Sequence, residues 1–366
     1  MAVYINDIAT AVPDTFEIQQ NIRDIMKAVV PGDRKTRSII HRVYSQSGIE
    51  KRHAINYDFK DGNEDGFFNR TLKNEIPPTT GERNAIYEYE SKKLFLKVAD
   101  QLMEQNPEFD RTSITHVITV SCTGFYAPGP DFEVVRHLGL APSTQRFHIG
   151  FMGCYAVFPA LKMAQAFCLA NPKAAVLVIT CELCSLHLQI SNDIDQILAA
   201  SVFADGASGV IISTKKPIKS GYRLDEFSSA IAYEGEKDMA WTISDTGFKM
   251  VLSSYIPSII ESNIDDIIQP MFDTLKINKQ DIGMWAVHPG GKAIVDKVEQ
   301  VMGIEPYKVE PSRNVLAQYG NMSSATILFV LDEIRKSALE SDSKILPIAF
   351  GPGLTIEIGI FTYLKN

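Results

Sequence analysis

The apolar positions of the chain recur with two periods, and the changes between them predict an alternation of strands and helices. Residues 116–122 and 174–181 are continuous apolar runs, as expected of strands in a sheet that is covered on both faces. Spacings of three and four residues predict helices over 84–105 and 154–170. Further strands are predicted over residues 1–12, 210–212, 283–288, 346–350 and 355–361, with extended chain over 224–233. Further helices are predicted over residues 17–46 with a break at Pro31-Gly32, over 132–138, 195–203, 251–275 and 321–338, and in a segment that ends at Val301.

Glycine, proline and other small residues separate these segments. Pro77-Pro78 and Gly81 interrupt a polar stretch, which predicts a long irregular loop over residues 54–85. The small residues of Ala204–Gly209 predict a tight turn between a helix and a strand.

The order of elements repeats once along the chain. A turn of small residues, a buried helix, a strand, a glycine turn and a closing strand occur in residues 154–213 and again in 321–362. This repeat predicts an α/β fold built from two duplicated halves around a shared core. A change of composition at Lys215-Lys216-Pro217 sets the predicted halves at 1–215 and 216–366.

Composition excludes some classes of function. The 366 residues are 45% hydrophobic and carry a net charge of −8, which argues against general nucleic-acid binding. No run reaches the roughly 18 apolar residues of a membrane span, and the first residues lack the pattern of a signal peptide. We therefore expect a cytoplasmic protein with no membrane span.

Two local features modify this picture. Residues 33–53 hold six basic residues against two acidic ones, an excess that either binds a phosphate-bearing ligand or forms a solvated surface.

The five cysteines are an odd number, mostly in apolar settings, and favour reduced thiols over disulfides. Cys181 and Cys184 form a single CxxC without a second pair, so we expect no metal site.

Cys154 is the first candidate for chemistry. It follows Gly150 and Gly153 and begins the long apolar helix predicted over 154–170. The unpaired amides and the dipole at a helix N-terminus favour an anion, and the thiolate is the form of cysteine that attacks carbonyls. The alternative is an inert core cysteine, because free cysteines are often buried.

His288 and Asn321 are the other two candidates. His288 ends a predicted strand before Pro289-Gly290-Gly291, and Asn321 begins a predicted helix after Gly320. An imidazole can act as the proton partner of a cysteine nucleophile, and an imidazolium stabilises its thiolate. The carboxamide can donate a hydrogen bond to an oxyanion. The three residues are far apart in sequence, so folding must bring them together.

Four stretches of the chain resemble the chalcone synthase family, the type III polyketide synthases of the thiolase superfamily. They are the Gly153-Cys154 turn, Trp285–Gly291 with Val298-Glu299-Gln300, Tyr319–Ala325 with Leu331-Asp332-Glu333, and Phe350–Thr355. The match covers most of the chain in a consistent order and is looser before residue 85. This resemblance implies a thiolase-like fold with a duplicated αβαβα five-layer core.

The resemblance also implies an activity, an acyltransferase reaction. Cys154 would be loaded with an acyl group from a CoA starter, and His288 and Asn321 would hold the thioester oxygen of malonyl-CoA while its carboxylate leaves. The enolate would attack acyl-Cys154, and repeated rounds would give a chain that closes to an aromatic ring or a pyrone. The family forms homodimers and needs no cofactor besides its CoA thioester substrates.

The same resemblance assigns residues to the substrate pocket. Phe203 matches a gatekeeping aromatic residue, Phe248 matches a second gate, and Arg42 matches a cation that binds the CoA phosphates. The remaining matched positions are expected beside the substrate: Cys122, Cys184, His187, Met239, Gly291 and Gly353.

The chain departs from the family at several of these positions. Ile39 and Gln46 stand where the family has lysines that bind CoA, so Arg37, Lys51 or Lys292 would have to substitute. His187 stands where plant members have a small side chain, and it either fills space, adds a base or is a hydrogen-bonded core histidine. The starter, the number of extensions and the mode of cyclisation do not follow from the sequence.

Two other functions are compatible with these residues. A priming β-ketoacyl carrier-protein synthase of the same superfamily shares the cysteine, histidine and asparagine but takes malonyl from a carrier protein. Its final glycine turn usually lacks the proline found here as Pro352, and Asn321-Met322-Ser323 favours the polyketide synthase. A non-catalytic acyl-binding or scaffold protein of the same fold is the alternative from a different class.

Overall fold

The structure, a computed structural model, describes residues 1–55, 67, 77–253 and 255–365. The strands are β1 (Val3–Ala11), β2 (Phe16–Ile18), β3 (Lys51–His53), β4 (His116–Ser121), β5 (Gln145–Gly150), β6 (Ala175–Leu183), β7 (Asp205–Ser213), β8 (Gly221–Ile231), β9 (Met239–Ser244), β10 (Gly247–Leu252), β11 (Ile282–Val287), β12 (Lys344–Gly351) and β13 (Thr355–Leu364). The helices are α1 (Gln19–Val29), α2 (Arg34–Ser45), α3 (Thr80–Gln105), α4 (Pro130–Leu138), α5 (Val157–Ala170), α6 (Ile194–Val202), α7 (Ile256–Leu275), α8 (Lys292–Met302), α9 (Glu310–Tyr319) and α10 (Thr326–Lys336). Most of the loop predicted over 54–85 lies outside the described residues, and its last part already belongs to α3.

Nine strands form one sheet in the order β11-β12-β13-β8-β1-β7-β6-β4-β5. Within each half the pairing follows the same rule. In the first half β4 and β6 are parallel, and β6 pairs antiparallel with β7. In the second half β11 and β12 are parallel, and β12 pairs antiparallel with β13. The first strands of the two halves, β1 and β8, pair antiparallel and join the halves in the middle of the sheet.

Alternating side chains of these strands form separate cores, which define five layers. The central core contains α5 and α10, with Val120 from the first half and Ala349 from the second. A second core packs α3 and α4 on the other face of the first half, and a third packs α7 and α8 on the other face of the second half. The duplicated five-layer α/β fold predicted from the sequence is therefore confirmed.

The predicted turn at 204–209 is wrong, because β7 begins at Asp205. The amide of Ala204 donates to the carbonyl oxygen of Asn321 at 2.8 Å, which holds this strand against the second half. Gly206 serves close packing, since a Cβ there would lie 2.3 Å from the sulfur of Met322. Small residues therefore mark a contact between the halves rather than a change of chain direction.

Candidate active site

Cys154 lies in the connection between β5 and α5, three residues before the first residue of the helix. The turn depends on Gly153, whose φ is +88°. A Cβ at this position would lie 2.2 Å from Cδ of Pro352, so glycine is required for both conformation and space. The Gly351-Pro352-Gly353 segment of the second half thus packs directly against the cysteine turn of the first half.

His288 follows β11, and its backbone amide donates to the carbonyl oxygen of Ile348 at 2.8 Å. The side chain is 1% exposed. Neither Nδ1 nor Nε2 has a hydrogen-bond partner among the described residues. Burial lowers the pKa of His288 to about 3, so the imidazole is neutral and one ring nitrogen carries a proton that it can donate.

Asn321 is held in place by both its backbone and its carboxamide. Its amide nitrogen donates to the carbonyl oxygen of Val202 at 2.8 Å, and a bridge pairs it with Phe203. The side-chain Oδ1 accepts from the amide of Ser323 at 2.8 Å. This bond turns Nδ2 towards Cys154, 4.0 Å from its Sγ. Nδ2 also donates to the carbonyl oxygen of Gly290 at 3.2 Å, so one of its two hydrogens is engaged there and the other is the donor on the side where the sulfur lies.

Cys154, His288 and Asn321 all line one cavity of about 350 Å³. They come from three separate connections of the fold, after β5, after β11 and before α10. The wall is mainly apolar, with these three polar groups converging on it, which is the usual character of a small-molecule site. The structure therefore brings together the three residues that the sequence analysis selected, while their catalytic roles stay predictions.

The thiol of Cys154 is a weaker acid than the sequence analysis predicted. Burial raises the pKa of Cys154 to about 11, the charge of Glu182 raises it further, and hydrogen bonds from Ser323 and Asn321 oppose this. Cys154 lies three residues before α5 instead of beginning it. The free protein therefore holds a neutral thiol and a neutral imidazole rather than a thiolate and an imidazolium.

The predicted pocket residues divide into two groups. Five of them line the cavity of Cys154: Cys122, Cys184, Phe203, Met239 and Gly291. Four others lie outside its wall: Arg42, His187, Phe248 and Gly353. Gly353 belongs to the turn Pro352–Leu354, in which its neighbour Pro352 is the lining residue.

His187 is a hydrogen-bonded core histidine. Its Nε2 donates to the carbonyl oxygen of Thr123 at 2.8 Å, and its Nδ1 accepts from the amide of Phe248 at 3.0 Å. The ring stacks on Phe248 with centroids 4.0 Å apart. Burial lowers the pKa of His187 to about 3. With both nitrogens engaged and no charge, His187 fills space and does not serve as a base.

Met250 lines the cavity of Cys154, whereas Phe248, which was expected there, does not. Both residues lie on β10, two positions apart, and therefore on the same face of the strand. Phe248 packs on His187 instead. The period of two along β10 could have indicated Met250 as a neighbouring candidate, but the sequence analysis missed it.

The basic segment lies at the exposed end of the cavity. Val43, Gln46 and Ser47 at the end of α2 line it, and Arg42 is an exposed residue of the same helix. Of the three proposed substitutes for the family lysines, Arg37, Lys51 and Lys292, only Lys292 lines this cavity. Its Nζ lies 2.5 Å from a carboxylate oxygen of Asp296.

Glu182 is a further residue that the sequence analysis missed. It is fully buried at the end of β6 and accepts hydrogen bonds from the amide of Cys122 and the hydroxyl of Thr123, both at 2.9 Å. Ser324 donates to its other oxygen at 2.5 Å. Cys122 Sγ in turn accepts from the amide of Gly153 at 3.0 Å, next to the nucleophile. The only sequence signal is a single carboxylate at the end of an apolar strand.

The contribution of Glu182 to the stability of the protein is expected to fall as the pH rises from about 4.5 to about 7. Burial raises the pKa of Glu182 from 4.5 to about 7, so in this window the folded state binds a proton that the unfolded state has lost. Such a shift corresponds to about 3 kcal/mol that is lost in full only above pH 7. Glu182→Gln imitates the protonated carboxyl and should remove this part of the pH dependence. The measurement is the free energy of unfolding in urea for both proteins at several pH values between 5 and 8.5. An equal pH dependence in the two proteins would contradict the assignment.

The described part of the chain holds no group of three or more His, Cys, Asp or Glu side chains arranged to hold a metal ion. Among the described residues there is also no helix with the length and hydropathy to cross a membrane.

Comparison with known proteins gives consistent matches over both halves. The model of the N-terminal domain of chalcone and stilbene synthases matches residues 2–216, and that of the C-terminal domain matches residues 225–364. A probable polyketide synthase 1 of Dictyostelium discoideum is 30% identical over 99% of this chain, which spans about 11% of that protein's length.

Two solved structures share the whole fold. The C-terminal type III polyketide synthase domain of Steely1, a type I/III hybrid from Dictyostelium, superimposes with a TM-score of 0.92 at 28% identity, covering 100% of both chains. PKS-I of the brown alga Ectocarpus siliculosus superimposes with a TM-score of 0.91 at 25% identity, covering 99% of this chain and 98% of that one.

Proposed function

Because the chain belongs to the chalcone and stilbene synthase family, we propose that it is a type III polyketide synthase, an acyltransferase that condenses malonyl-CoA units onto an acyl starter held by Cys154. The observation that carries this proposal is the convergence of Cys154, His288 and Asn321 on one apolar cavity. The unpartnered nitrogens of His288 support it further, since a buried polar group without a partner suits a ligand that completes its hydrogen bonds.

Loading of the starter begins from the neutral pair. His288 takes the thiol proton as the sulfur of Cys154 attacks the carbonyl carbon of the acyl-CoA. The bond between that carbon and the CoA sulfur breaks, and CoA leaves as its thiol with the proton from His288. The raised pKa of Cys154 and the lowered pKa of His288 keep both groups neutral until the acyl group arrives.

Decarboxylation of malonyl-CoA then uses the two hydrogen-bond donors. The bond to the carboxylate carbon breaks, carbon dioxide leaves, and the electron pair forms an enolate with negative charge on the thioester oxygen. The protonated ring nitrogen of His288 and Nδ2 of Asn321 are the donors that we assign to this oxygen. The carboxamide of Asn321 is already oriented by its hydrogen bond from the amide of Ser323, so this donor needs little reorganisation when the charge develops.

Condensation follows at the acylated cysteine. The enolate carbon attacks the carbonyl carbon of acyl-Cys154, a carbon–carbon bond forms, and the bond to sulfur breaks. The extended chain is then attached to CoA and can return to Cys154 for another round. After the last round the chain closes on itself to an aromatic or pyrone product.

We assign the cavity wall to the growing chain and its exposed end to CoA. Phe203, Met239 and Met250 line the interior, and Lys292 with the exposed Arg42 supplies positive charge near the entrance for the phosphates. We propose no cofactor besides the CoA thioesters and a cytoplasmic location. We also propose a homodimer, for which β5 is a suitable contact because it ends the nine-stranded sheet.

The test of this function is incubation of the purified protein with malonyl-CoA and a panel of acyl-CoA starters, without carrier protein. Mass spectrometry is expected to detect polyketide products and release of carbon dioxide. Product formed only from malonyl carrier protein would identify the priming β-ketoacyl synthase instead. No turnover with either donor, despite tight binding of acyl-CoA, would favour the non-catalytic acyl-binding protein.

A further inference from the structure

One member of the basic segment 33–53 is buried. Every basic residue of α2, from Arg34 to Arg42, is exposed, whereas Arg52 of β3 is 6% exposed. A guanidinium has five N–H donors, and inside a protein these need acceptors from the surrounding chain. The acceptors of Arg52 therefore indicate what this residue holds in place.

Arg52 binds the C-terminal end of α6. Its Nη1 donates to the carbonyl oxygens of Ala200 and Phe203 at 2.8 and 2.6 Å. Its Nε donates to Oε1 of Gln19 at 2.9 Å, and Nε2 of Gln19 donates to the carbonyl oxygen of Ser201 at 2.7 Å. The last carbonyl groups of a helix have no partner within the helix. Arg52 and Gln19 thus supply donors from outside α6 to three carbonyl groups at its end.

The same helix end holds the backbone of Asn321. The carbonyl oxygen of Val202 accepts from the amide of Asn321 at 2.8 Å, and the amide of Ala204 donates to the carbonyl oxygen of Asn321 at 2.8 Å. Val202 lies between Ser201, which Gln19 binds, and Phe203, which Arg52 binds. The position of Asn321 therefore depends on a short segment that Arg52 and Gln19 fix on both sides of Val202.

Arg52 also packs against the residue before Asn321. Gly320 has a φ of +73°, and a Cβ there would lie 2.9 Å from Cγ and 3.0 Å from Cδ of Arg52. Glycine is thus required by the backbone conformation and by the stem of the arginine. Arg52 supports Asn321 in two ways, through hydrogen bonds to the end of α6 and through direct packing on Gly320.

We propose that Arg52, held by Gln19, is a positioning residue for Asn321, the donor that we assign to the thioester oxygen of malonyl-CoA. Arg52 does not line the cavity of Cys154, so it acts through Asn321 and not on the substrate. A lysine at this position would keep the charge but lose the planar fork that reaches several acceptors at once. This inference rests on the proposed function and deepens it, because it names what orients one of the two donors.

Arg52→Lys tests the proposal with the full chain. The initial rate of malonyl-CoA decarboxylation is expected to fall about tenfold, since a misplacement of about 1 Å can cost as much as 10²-fold. In the Asn321→Ala protein the same substitution should change the rate by less than about twofold, because the group that Arg52 positions is then absent. A merely structural role would lower the rate by the same factor in both backgrounds.

Gln19→Met is the second variant, since it removes the hydrogen bonds to Arg52 and Ser201 and keeps a side chain of similar length. It should lower the rate about threefold, the effect of a weakened hydrogen bond, and again only when Asn321 is present. Thermal unfolding verifies that Arg52→Lys is folded, and Gln19→Met carries the test if it is not.

Arg335→Lys is the matched control. Arg335 is also a largely buried arginine, and it donates to a carboxylate oxygen of Asp332 at 2.6 Å and to the carbonyl oxygen of Ile8 at 3.1 Å, away from the cavity of Cys154. This variant should lower the melting temperature and leave the decarboxylation rate unchanged.

Two results overturn the proposal and leave the proposed function intact. One is an unchanged decarboxylation rate in folded Arg52→Lys, and the other is an equal loss with and without the carboxamide of Asn321. Failure of the unmodified protein to decarboxylate malonyl-CoA overturns the proposed function, and this inference with it.

Discussion

The Cys154→Ala protein is expected to form no polyketide product from acyl-CoA and malonyl-CoA, while it still decarboxylates malonyl-CoA. Chain extension needs the covalent acyl group on sulfur, and Cys154 is the thiol that lies 4.0 Å from Nδ2 of Asn321. Decarboxylation needs only the two hydrogen-bond donors that hold the thioester oxygen. The variant therefore separates the two steps that the proposed reaction combines.

The measurement is release of labelled carbon dioxide together with mass spectrometry of products. Cys168→Ala is the matched control, because Cys168 is another buried cysteine, on α5, that does not line the cavity. It should retain product formation. Polyketide formation by Cys154→Ala at the rate of the unmodified protein would contradict the assignment of the nucleophile.

Replacing His288 or Asn321 with alanine is expected to slow malonyl-CoA decarboxylation by about 10²–10³, the usual cost of one oxyanion donor. Both residues donate to the same developing charge, so the double variant should lose less than the product of the two single effects. His288→Gln retains a side-chain N–H group and should recover part of the loss. Initial rates of carbon dioxide release at saturating malonyl-CoA measure these effects.

Asn106→Ala controls for the loss of a structural asparagine. Asn106 donates to the carboxylate of Asp7 at 2.6 Å and to the carbonyl oxygen of Leu102 at 2.8 Å, away from the cavity. This variant should lower the free energy of unfolding and leave the decarboxylation rate unchanged. Rates near those of the unmodified protein in both His288→Ala and Asn321→Ala would remove these residues from the mechanism.

Local patterns predicted most elements because burial on both faces of a sheet leaves continuous apolar runs. The strands at 116–121 and 282–287 and the helix over 130–138 appear within two residues of their predicted bounds. The helices predicted from Cys154 and Asn321 begin later, at Val157 and Thr326. Contacts between the halves hold those segments in turns, and such contacts leave no periodic signal in the sequence.

The candidate site was also predicted only in part from the sequence. The residue types and their places beside glycine identified Cys154, His288 and Asn321, and the family motifs assigned them roles. The exchange of Phe248 for Met250 in the cavity wall depends on how β10 packs against His187, which is a contact between distant segments. Glu182 was missed because one carboxylate in an apolar strand becomes notable only when its donors are seen around it.

By itself, the sequence determined the class of fold, the family and the three residues of the candidate site, because these depend on local periodicity and on residue identity at turns. Only the tertiary structure decided that the thiol and the imidazole are neutral in the free protein, that His187 is not a base, and that Met250 rather than Phe248 lines the cavity of Cys154. These properties arise from burial and from the packing of segments distant in sequence, since desolvation and cavity shape are set by neighbours that the chain supplies only when it is folded.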